Sequence, residues 1–223
     1  MSDHKEMSFY YGTMGSRKTL GLMLDQYRRE DEFGHETLII KPGADKKAGN
    51  NIQTRAFGGE KRAARVMAES DEASEFVLDQ IRQQPGEARD ITVYLDEVNF
   101  FTPEQILSLR KNIVDKDIAD IKMYGLLIDA FGKFFPGSEP AIRYADHIIQ
   151  LESTCQNDGC DRPANRNARI VNGSIIRGGP QVAIDGIDAH YMALCHHDYD
   201  IGIISPSKGS APTSASLSEI ETN

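Results

Sequence analysis

One stretch decides the fold of this chain: Phe9-Tyr10-Tyr11-Gly12-Thr13-Met14-Gly15-Ser16-Arg17-Lys18-Thr19. An apolar run breaks here into a short loop that ends in Lys-Thr, and leucine, methionine and tyrosine then recur at helical spacing. A phosphate-binding P-loop has this layout, since its amides surround phosphates, its lysine reaches the β and γ oxygens and its hydroxyl binds magnesium. The stretch therefore predicts a phosphate site between a first strand and a first helix.

The loop departs from the GxxxxGK[ST] pattern at one position, because Arg17 stands where the second glycine is expected. The expected glycine permits backbone geometry that a Cβ atom resists. Taken alone, the loop is therefore open to a second interpretation, an ordinary basic turn between a strand and a helix.

A second motif is an apolar strand, Ile91–Leu95, that ends in Asp96 and Glu97. P-loop enzymes place a carboxylate near magnesium at this carboxyl edge of the sheet. The sequence therefore predicts Asp96 beside the metal and Glu97 as a general base, placed to take a proton from an attacking hydroxyl. The alternative is a strand that ends in solvated acids, but the two motifs supply each other's required context.

The composition limits the class of protein. Of the 223 residues 39% are hydrophobic and 26% are charged, which is typical of a soluble globular chain, and the net charge of −9 argues against non-specific nucleic-acid binding. No apolar run reaches the length of a membrane span, and the N-terminus lacks the apolar core of a signal peptide. We therefore predict a cytoplasmic protein with no membrane or direct nucleic-acid partner, whose three cysteines are thiols or metal ligands.

Strand-like runs alternate with helical patterns, which predicts an α/β fold with a parallel sheet covered by helices on both faces. The predicted strands are Met7–Tyr11, Thr37–Lys41, Ile91–Leu95, Met123–Ile128 and His147–Leu151. The predicted helices are Lys18–Glu30, Glu60–Gln83 in broken form, Thr102–Ile113 and Glu139–Asp146. The polar, glycine-bearing segment from Pro42 to Gly59 is predicted to be a loop.

Changes in this pattern divide the chain into three regions. Residues 1–152 form a predicted P-loop domain and residues 153–203 a small lobe, in which no helical period survives from Ser153 to Asn172. Residues 204–223 are rich in Ser and Thr and poor in apolar residues, so we predict a disordered tail.

Cysteine spacing predicts a metal in the small lobe. Cys155 and Cys160 are separated by four residues, and Cys195 precedes the sequence His-His-Asp-Tyr. Structural zinc takes four ligands, mostly Cys and His, often in pairs on tight turns. Three thiols with either His197 or Asp198 would complete such a site; the alternative is three unconnected thiols.

Five motifs occur in a fixed order along residues 8 to 199. They are the Gly12–Thr19 loop, Asp96-Glu97-Val98-Asn99-Phe100-Phe101, Tyr124-Gly125-Leu126 with Asp129 and Phe135-Pro136-Gly137-Ser138, Cys160-Asp161-Arg162-Pro163-Ala164 with Arg169, and Tyr191 with Cys195 and Tyr199. In this order they resemble the type II thymidine kinase family. The resemblance implies a RecA-like P-loop parallel sheet flanked by helices, the P-loop kinase domain, followed by a small zinc-binding lobe with a lasso loop.

The resemblance also implies an activity, ATP-dependent phosphorylation of a deoxynucleoside, thymidine or deoxyuridine, at its 5′-hydroxyl, which feeds DNA precursor synthesis. The enzyme would be a homotetramer with structural zinc, Glu97 as catalytic base, and magnesium at Thr19 and Asp96. The residues implied in ATP binding are Gly12, Thr13, Met14, Gly15, Ser16, Arg17, Lys18, Thr19, Asp96 and Asn99. The residues implied in nucleoside binding are Phe101, Phe131, Val182, Ala183, Ile184, Asp185, Gly186 and Tyr191. The implied zinc ligands are Cys155, Cys160, Cys195 and, in the family's register, Asp198, although ligand preference favours His197.

Departures from the family pattern leave alternatives open. Besides Arg17, an ungapped alignment places Ala130 where the family has Phe, and a one-residue shift makes Phe131 the aromatic. Phe101 is equally open to a core role, and Lys133 or Arg17 would replace a missing positive charge near the phosphates. The rival functions are a P-loop ATPase coupled to a nucleic-acid task, which does not require the small lobe, and a degenerate, non-catalytic nucleotide-binding protein.

Overall fold

The computed structural model describes residues 4–46, 48–54, 59–83, 90–179, 189–202 and 204–205. The chain divides into two compact units. The first, called the sheet unit, comprises Met1–Tyr11, Arg17–Gly125 and Pro136–Ile149. The second, called the cysteine unit, comprises Gly12–Ser16, Leu126–Phe135 and Gln150–Asn223.

A six-stranded sheet forms the centre of the sheet unit within the described residues, with the strand order β5-β2-β6-β7-β1-β8. Its strands are β1 (Met7–Tyr11), β2 (Glu36–Pro42), β5 (Arg65–Met67), β6 (Ile91–Leu95), β7 (Asp120–Gly125) and β8 (His147–Gln150). The pairs β1–β7, β7–β6, β6–β2 and β2–β5 are parallel. All five residues of β6 are buried, as expected of a central parallel strand. A separate antiparallel pair joins β3 (Asn51–Gln53) to β4 (Lys61–Ala63).

Helices connect these strands. They are α1 (Lys18–Phe33), α2 (Ala73–Arg82), α3 (Pro103–Leu109), which continues into a π-helical turn over Arg110–Val114, and α4 (Ser138–Tyr144). The first turn of α3 is fixed by a capping box in which Thr102 and Gln105 bond each other's backbone amides. No helix among the described residues is long and apolar enough to cross a membrane.

A partly buried charge pair links α1 to the sheet. The Asp25 carboxylate accepts hydrogen bonds from Lys122 Nζ and the Tyr94 hydroxyl, both at 2.6 Å. Burial raises the pKa of Asp25, but the Lys122 and Tyr94 bonds outweigh it and lower the pKa below its ordinary value. This pair explains how a lysine occupies a central strand, since Lys122 itself is only 8% exposed.

The α/β architecture with a parallel sheet is confirmed, and the predicted strands Met7–Tyr11 and Ile91–Leu95 have those bounds. The helix predicted over Glu60–Gln83 is wrong in its first half, where β4 and β5 lie, because short strands of charged residues carry no clear alternation. The loop predicted from Pro42 to Gly59 contains β3. The strand predicted at Met123–Ile128 is wrong at both ends, because β7 runs from Asp120 to Gly125. It begins earlier than predicted because the Lys122 charge is neutralised inside the sheet.

The cysteine unit contains a three-stranded antiparallel sheet in the order β10-β9-β11. Its strands are β9 (Arg166–Val171), β10 (Ser174–Ile175) and β11 (Ala189–Leu194), and helix α5 (His196–Ile201) follows. A small apolar core lies under them, formed by Cys155, Ala168, Ile170, Met192, Leu194, Cys195 and Tyr199. Sequence analysis did not identify β9, because arginine and asparagine interrupt its apolar positions.

Candidate active site

The loop after β1 begins with a tight turn in the cysteine unit. A Cβ atom on Gly12 would lie 2.6 Å from the carbonyl oxygen of Leu151, so only glycine fits there. The Ser16 amide donates to Thr13 O at 3.1 Å, and Thr13 Oγ1 lies 2.6 Å from Ser153 Oγ. Residues 12–16 are therefore held as a compact turn, as a phosphate-binding loop requires.

Arg17 keeps the backbone geometry of the glycine that it replaces. Its φ and ψ are 63° and 31°, in the left-handed region, immediately before α1 begins at Lys18. A non-glycine residue pays about 1–2 kcal/mol for this conformation. The departure from the motif therefore changes the side chain and adds strain, while the backbone path is retained.

A hydroxyl and a carboxylate meet at the carboxyl edge of the sheet. Thr19 Oγ1, in the first turn of α1, donates to Asp96 Oδ2 at 3.3 Å, and the Asp96 amide donates to Ile40 O at 3.0 Å. Burial, followed by the charge of Glu97, raises the pKa of Asp96 to about 7, although Lys18 opposes the shift. These are the oxygen ligands that magnesium prefers, and a bound cation would favour the ionised carboxylate.

Glu97 follows directly and is also strained. Its φ and ψ are 51° and 43°, and its amide donates to Asp96 Oδ1 at 3.1 Å. A left-handed conformation in a residue with a long side chain is uncommon and is found disproportionately at functional sites. The structure thus places the predicted base next to the predicted metal ligand at one edge of the sheet.

Asn99 and Phe101 lie deeper in the sheet unit. Asn99 is fully buried, and a Cβ atom on Gly125 would lie 2.7 Å from Asn99 Oδ1. Phe101 is only 1% exposed, which favours its core-packing alternative over contact with a nucleobase. The ATP contact assigned to Asn99 stays a prediction.

Lys41 and Asp45 were missed by the sequence analysis. Lys41 is fully buried at the end of β2, and its Nζ donates to Asp45 Oδ2 at 3.0 Å. The charge of Asp45 contributes to the raised pKa of Asp96, so the two carboxylates are electrostatic neighbours. A lysine directly after the apolar run Leu-Ile-Ile, followed by Pro-Gly, was the signal available in the sequence.

Two predicted nucleoside residues, Phe131 and Tyr191, come together in the cysteine unit. Ala130 and Tyr191 are both 6% exposed and touch, and Met14 and Phe131 pack partly buried against them. Phe131 is thus the aromatic side chain at this position, and Met14, assigned above to ATP, joins it. The predicted segment Val182 to Gly186 lies outside the described residues.

The metal ligands predicted from the sequence form one cluster. Ligand atoms of Cys155, Cys160, Cys195 and Asp198 all lie within 4.8 Å of one another. The Sγ atoms of Cys160 and Cys195 are 4.0 Å apart, and Cys155 Sγ is 3.3 Å from Asp198 Oδ2. Tetrahedral zinc would require about 3.8 Å between sulfurs and about 3.5 Å between sulfur and oxygen. The cluster is therefore compatible with a structural zinc ion.

Asp198, rather than His197, occupies the fourth position of this cluster. His197 Nδ1 lies 3.0 Å from Asp198 Oδ1, and Asn157 Nδ2 donates to Asp198 Oδ2 at 3.0 Å. These two bonds hold the pKa of Asp198 well below its usual range. The geometry therefore favours Asp198, the position implied by the family resemblance, over His197, which general ligand preference would choose. His197 instead contacts the Asp198 carboxylate.

A parallel α/β sheet with a compact loop after its first strand, and with hydroxyl and carboxylate side chains meeting at its carboxyl edge, has the architecture of the P-loop class of proteins, which includes kinases and ATPases. The family model described as thymidine kinase matches residues 5–199, so the chain belongs to the thymidine kinase family. It is 31% identical to the thymidine kinase of Legionella pneumophila (strain Lens), over 88% of this chain and 90% of the relative. Identity to the thymidine kinase of Rhodopirellula baltica is also 31%, over 93% of both chains. The Francisella tularensis thymidine kinase is 28% identical, over 89% of this chain and 98% of the relative.

Proposed function

We propose that this protein transfers the γ-phosphate of ATP to the 5′-hydroxyl of thymidine or deoxyuridine, giving a monophosphate for DNA precursor synthesis. The observation that carries the proposal is the family match over residues 5–199, which includes both the strand-and-loop core and the cysteine cluster. Curated relatives named thymidine kinase align over about nine-tenths of the chain.

The proposed phosphate-binding groups are the loop of residues 12–16 and the Lys18 ammonium; within that loop the Met14 and Ser16 amides already donate to Asn167 Oδ1 and Thr13 O. Thr19 and Asp96 would hold magnesium, which on binding would neutralise charge on the β and γ oxygens. The close approach of Thr19 Oγ1 to Asp96 Oδ2 supports this assignment, because both oxygens would be within reach of one cation. Arg17 is exposed at the end of the loop, so its guanidinium is available to the phosphates.

Glu97 is the proposed general base. Its carboxylate would accept the proton of the nucleoside 5′-hydroxyl as that oxygen attacks the γ-phosphorus in line with the leaving ADP oxygen. Lys18 would stabilise charge that develops on the transferring group. Phe131 and Tyr191 would contact the nucleoside together with Met14, which supplies an apolar surface against Tyr191.

The metal cluster has a structural role in this proposal. Cys155, Cys160, Cys195 and Asp198 fill four positions, so zinc bound there would have no open position for substrate. Thiolate ligands require a reducing compartment, which fits a cytoplasmic location. A homotetramer is also proposed, on the resemblance to the family alone.

The two rival functions are less well supported. An ATPase coupled to a nucleic-acid task would not require the cysteine cluster, and the family match includes it. A degenerate binding protein would be expected to lose the loop geometry, whereas Arg17 retains it at an energetic cost.

An assay with purified protein, ATP, magnesium and a panel of deoxynucleosides separates the three functions. We expect thymidine and deoxyuridine to give monophosphates, and other nucleosides to give little. ADP without a monophosphate would indicate the ATPase, and nucleotide binding without either product would indicate a degenerate module.

A further inference from the structure

Tyr199 lies beside the metal cluster but belongs to none of the sites described above. It follows Asp198 in α5, is 8% exposed, and forms part of the small apolar core with Cys155 and Cys195. Its hydroxyl donates to the carbonyl oxygen of Ala130 at 2.8 Å, across 69 positions of sequence. A buried tyrosine usually keeps a hydrogen bond for its hydroxyl, but this bond reaches the segment that carries Phe131.

Two arginines fix the ring of Tyr199. The Cζ atoms of Arg166 and Arg177 lie 5.6 and 4.9 Å from the ring centroid, within the range of cation–π attraction. Arg177 also donates to the carbonyl oxygens of Tyr199 and Asp200, which closes the end of α5. The ring therefore has little freedom to turn, and its hydroxyl is aimed at one acceptor.

The acceptor, the carbonyl oxygen of Ala130, lies in a turn closed by its own hydrogen bonds. Asp129 Oδ1 accepts the amides of Phe131 and Lys133, both at 2.8 Å, and the Asp129 amide donates to Lys133 O at 2.8 Å. Ala130 packs against Tyr191 within this turn. Because the turn is closed by its own hydrogen bonds, a displacement of the Ala130 carbonyl would move the whole turn, including Phe131.

We infer that the Tyr199 hydroxyl is a positioning group, which transmits the order imposed by the metal cluster on α5 to the turn that presents Phe131 to the nucleoside. The inference deepens the proposed function and rests on it for the identity of the ligand. Metal binding would fix Cys195 and Asp198, α5 would fix Tyr199, and the hydroxyl would fix the carbonyl of Ala130.

Tyr199→Phe tests this link, because it removes one oxygen and keeps the ring under both arginines. The matched control is Tyr27→Phe on α1, where the side chain is 56% exposed. Thymidine affinity is measured by calorimetry without ATP, zinc content by elemental analysis, and the KM for ATP by turnover. We expect the thymidine Kd to rise about fivefold, the value of one ordinary hydrogen bond, with zinc content and the KM for ATP unchanged.

A second measurement follows the turn itself and does not depend on the substrate. Hydrogen exchange of the Phe131 and Lys133 amides is expected to accelerate in Tyr199→Phe and not in Tyr27→Phe, while amides of β6 keep their protection. Removing metal with a chelator should produce the same acceleration in the wild type. It should add little in Tyr199→Phe, where the link is already cut.

Three results would overturn the inference: an unchanged thymidine Kd, unchanged exchange in the turn, or a full additional effect of the chelator in Tyr199→Phe. Parallel losses of zinc and ATP affinity would also overturn it, since they would show a general loss of structure. A wild-type protein that neither binds nor phosphorylates thymidine would refute the proposed function instead, and the exchange measurement would still decide the role of Tyr199.

Discussion

The carboxyl edge of the sheet and the metal cluster hold reactive side chains by different means. At the sheet edge, Asp96 follows the fully buried strand β6, and its amide is bonded to Ile40 O. In the cluster, Cys195 and Asp198 lie at the start of α5 and the other two thiols lie in irregular segments, and Asp198 is held by a few polar contacts, such as that from Asn157. The comparison shows that a strongly packed element can carry backbone strain, as at Glu97, whereas the cluster brings three thiols and a carboxylate together in an arrangement that is compatible with a metal ion.

The largest effect is expected at the sheet edge, from Glu97→Gln. The amide keeps the shape of the carboxylate but cannot take the proton of the nucleoside hydroxyl, so kcat should fall by about 100-fold or more. The KM for ATP should change little, because the phosphate-binding groups are untouched. Steady-state kinetics checks this, with Glu104→Gln, at an exposed position on α3, as the control. Undiminished turnover in Glu97→Gln would show that Glu97 is not the base.

In the metal cluster, Asp198→Ala and His197→Ala should differ. Asp198→Ala removes a proposed ligand and should abolish stoichiometric zinc binding. His197→Ala removes only the hydrogen-bond partner of Asp198 and should weaken zinc affinity by about 10- to 100-fold. Zinc content and chelator competition measure both, with Asp200→Ala as an exposed control on the same helix. Full zinc content in Asp198→Ala combined with loss in His197→Ala would reverse the assignment.

Removal of metal should affect one region before the other. Chelated protein is expected to lose order over residues 155–179 and 189–199 and to bind thymidine more weakly, while the affinity for ATP is kept. Calorimetry with each ligand before and after chelation measures the difference. Purified protein without stoichiometric zinc and unaffected by chelator would leave three ordinary thiols.

The next prediction concerns the stability of the sheet unit at low pH, to which Asp25 contributes. The folded-state pKa of Asp25 lies below its ordinary value, so ionised Asp25 stabilises the fold at neutral pH. This contribution is present above the ordinary pKa and disappears as pH falls below it towards the lowered folded value. Asp25→Asn should lose about 2 kcal/mol of unfolding free energy at pH 7, and its stability should decline less steeply as pH falls below the ordinary pKa of an aspartate. Urea titrations measure the loss, with Asp31→Asn, at an exposed position on the same helix, as the control. An equal loss of stability in the two variants would contradict the prediction.

The smallest effect is expected from Arg17→Gly, which should raise the unfolding free energy by about 1 kcal/mol by relieving the left-handed conformation. Arg17→Ala is the matched control, because it removes the same charge but keeps the Cβ atom. Thermal unfolding compares the two, and equal stability would show that the strain is absent.

Turnover should fall far more in Lys18→Ala than in Arg17→Gly; the reverse would mean that the loop is aligned incorrectly.

The features that could be predicted from the sequence are those that apolar patterning and the order of motifs determine. β1, β6 and the positions of Lys18, Thr19, Asp96 and Glu97 could be anticipated because a buried parallel strand and the loop after it have strong local signatures. The family resemblance is likewise confirmed by the match over residues 5–199.

The remaining features depend on contacts distant in sequence. The start of β7 was missed because Lys122 is neutralised by Asp25, 97 positions away. The strand β9 was missed because two of its polar side chains, Asn167 and Arg169, are buried, and Asn167 Oδ1 accepts the amide of Met14, 153 positions away. The fourth member of the cluster could not be chosen by residue type, since the first turn of α5 directs Asp198 rather than His197 towards the thiols.

Transfer of labelled γ-phosphate from ATP to thymidine tests the account most directly. Wild-type protein with magnesium is expected to form thymidine 5′-monophosphate at one molecule for each ATP consumed, and Glu97→Gln should form it at least about 100-fold more slowly. Release of labelled inorganic phosphate without labelled nucleotide would contradict the account, because the protein would then activate water rather than a nucleoside hydroxyl.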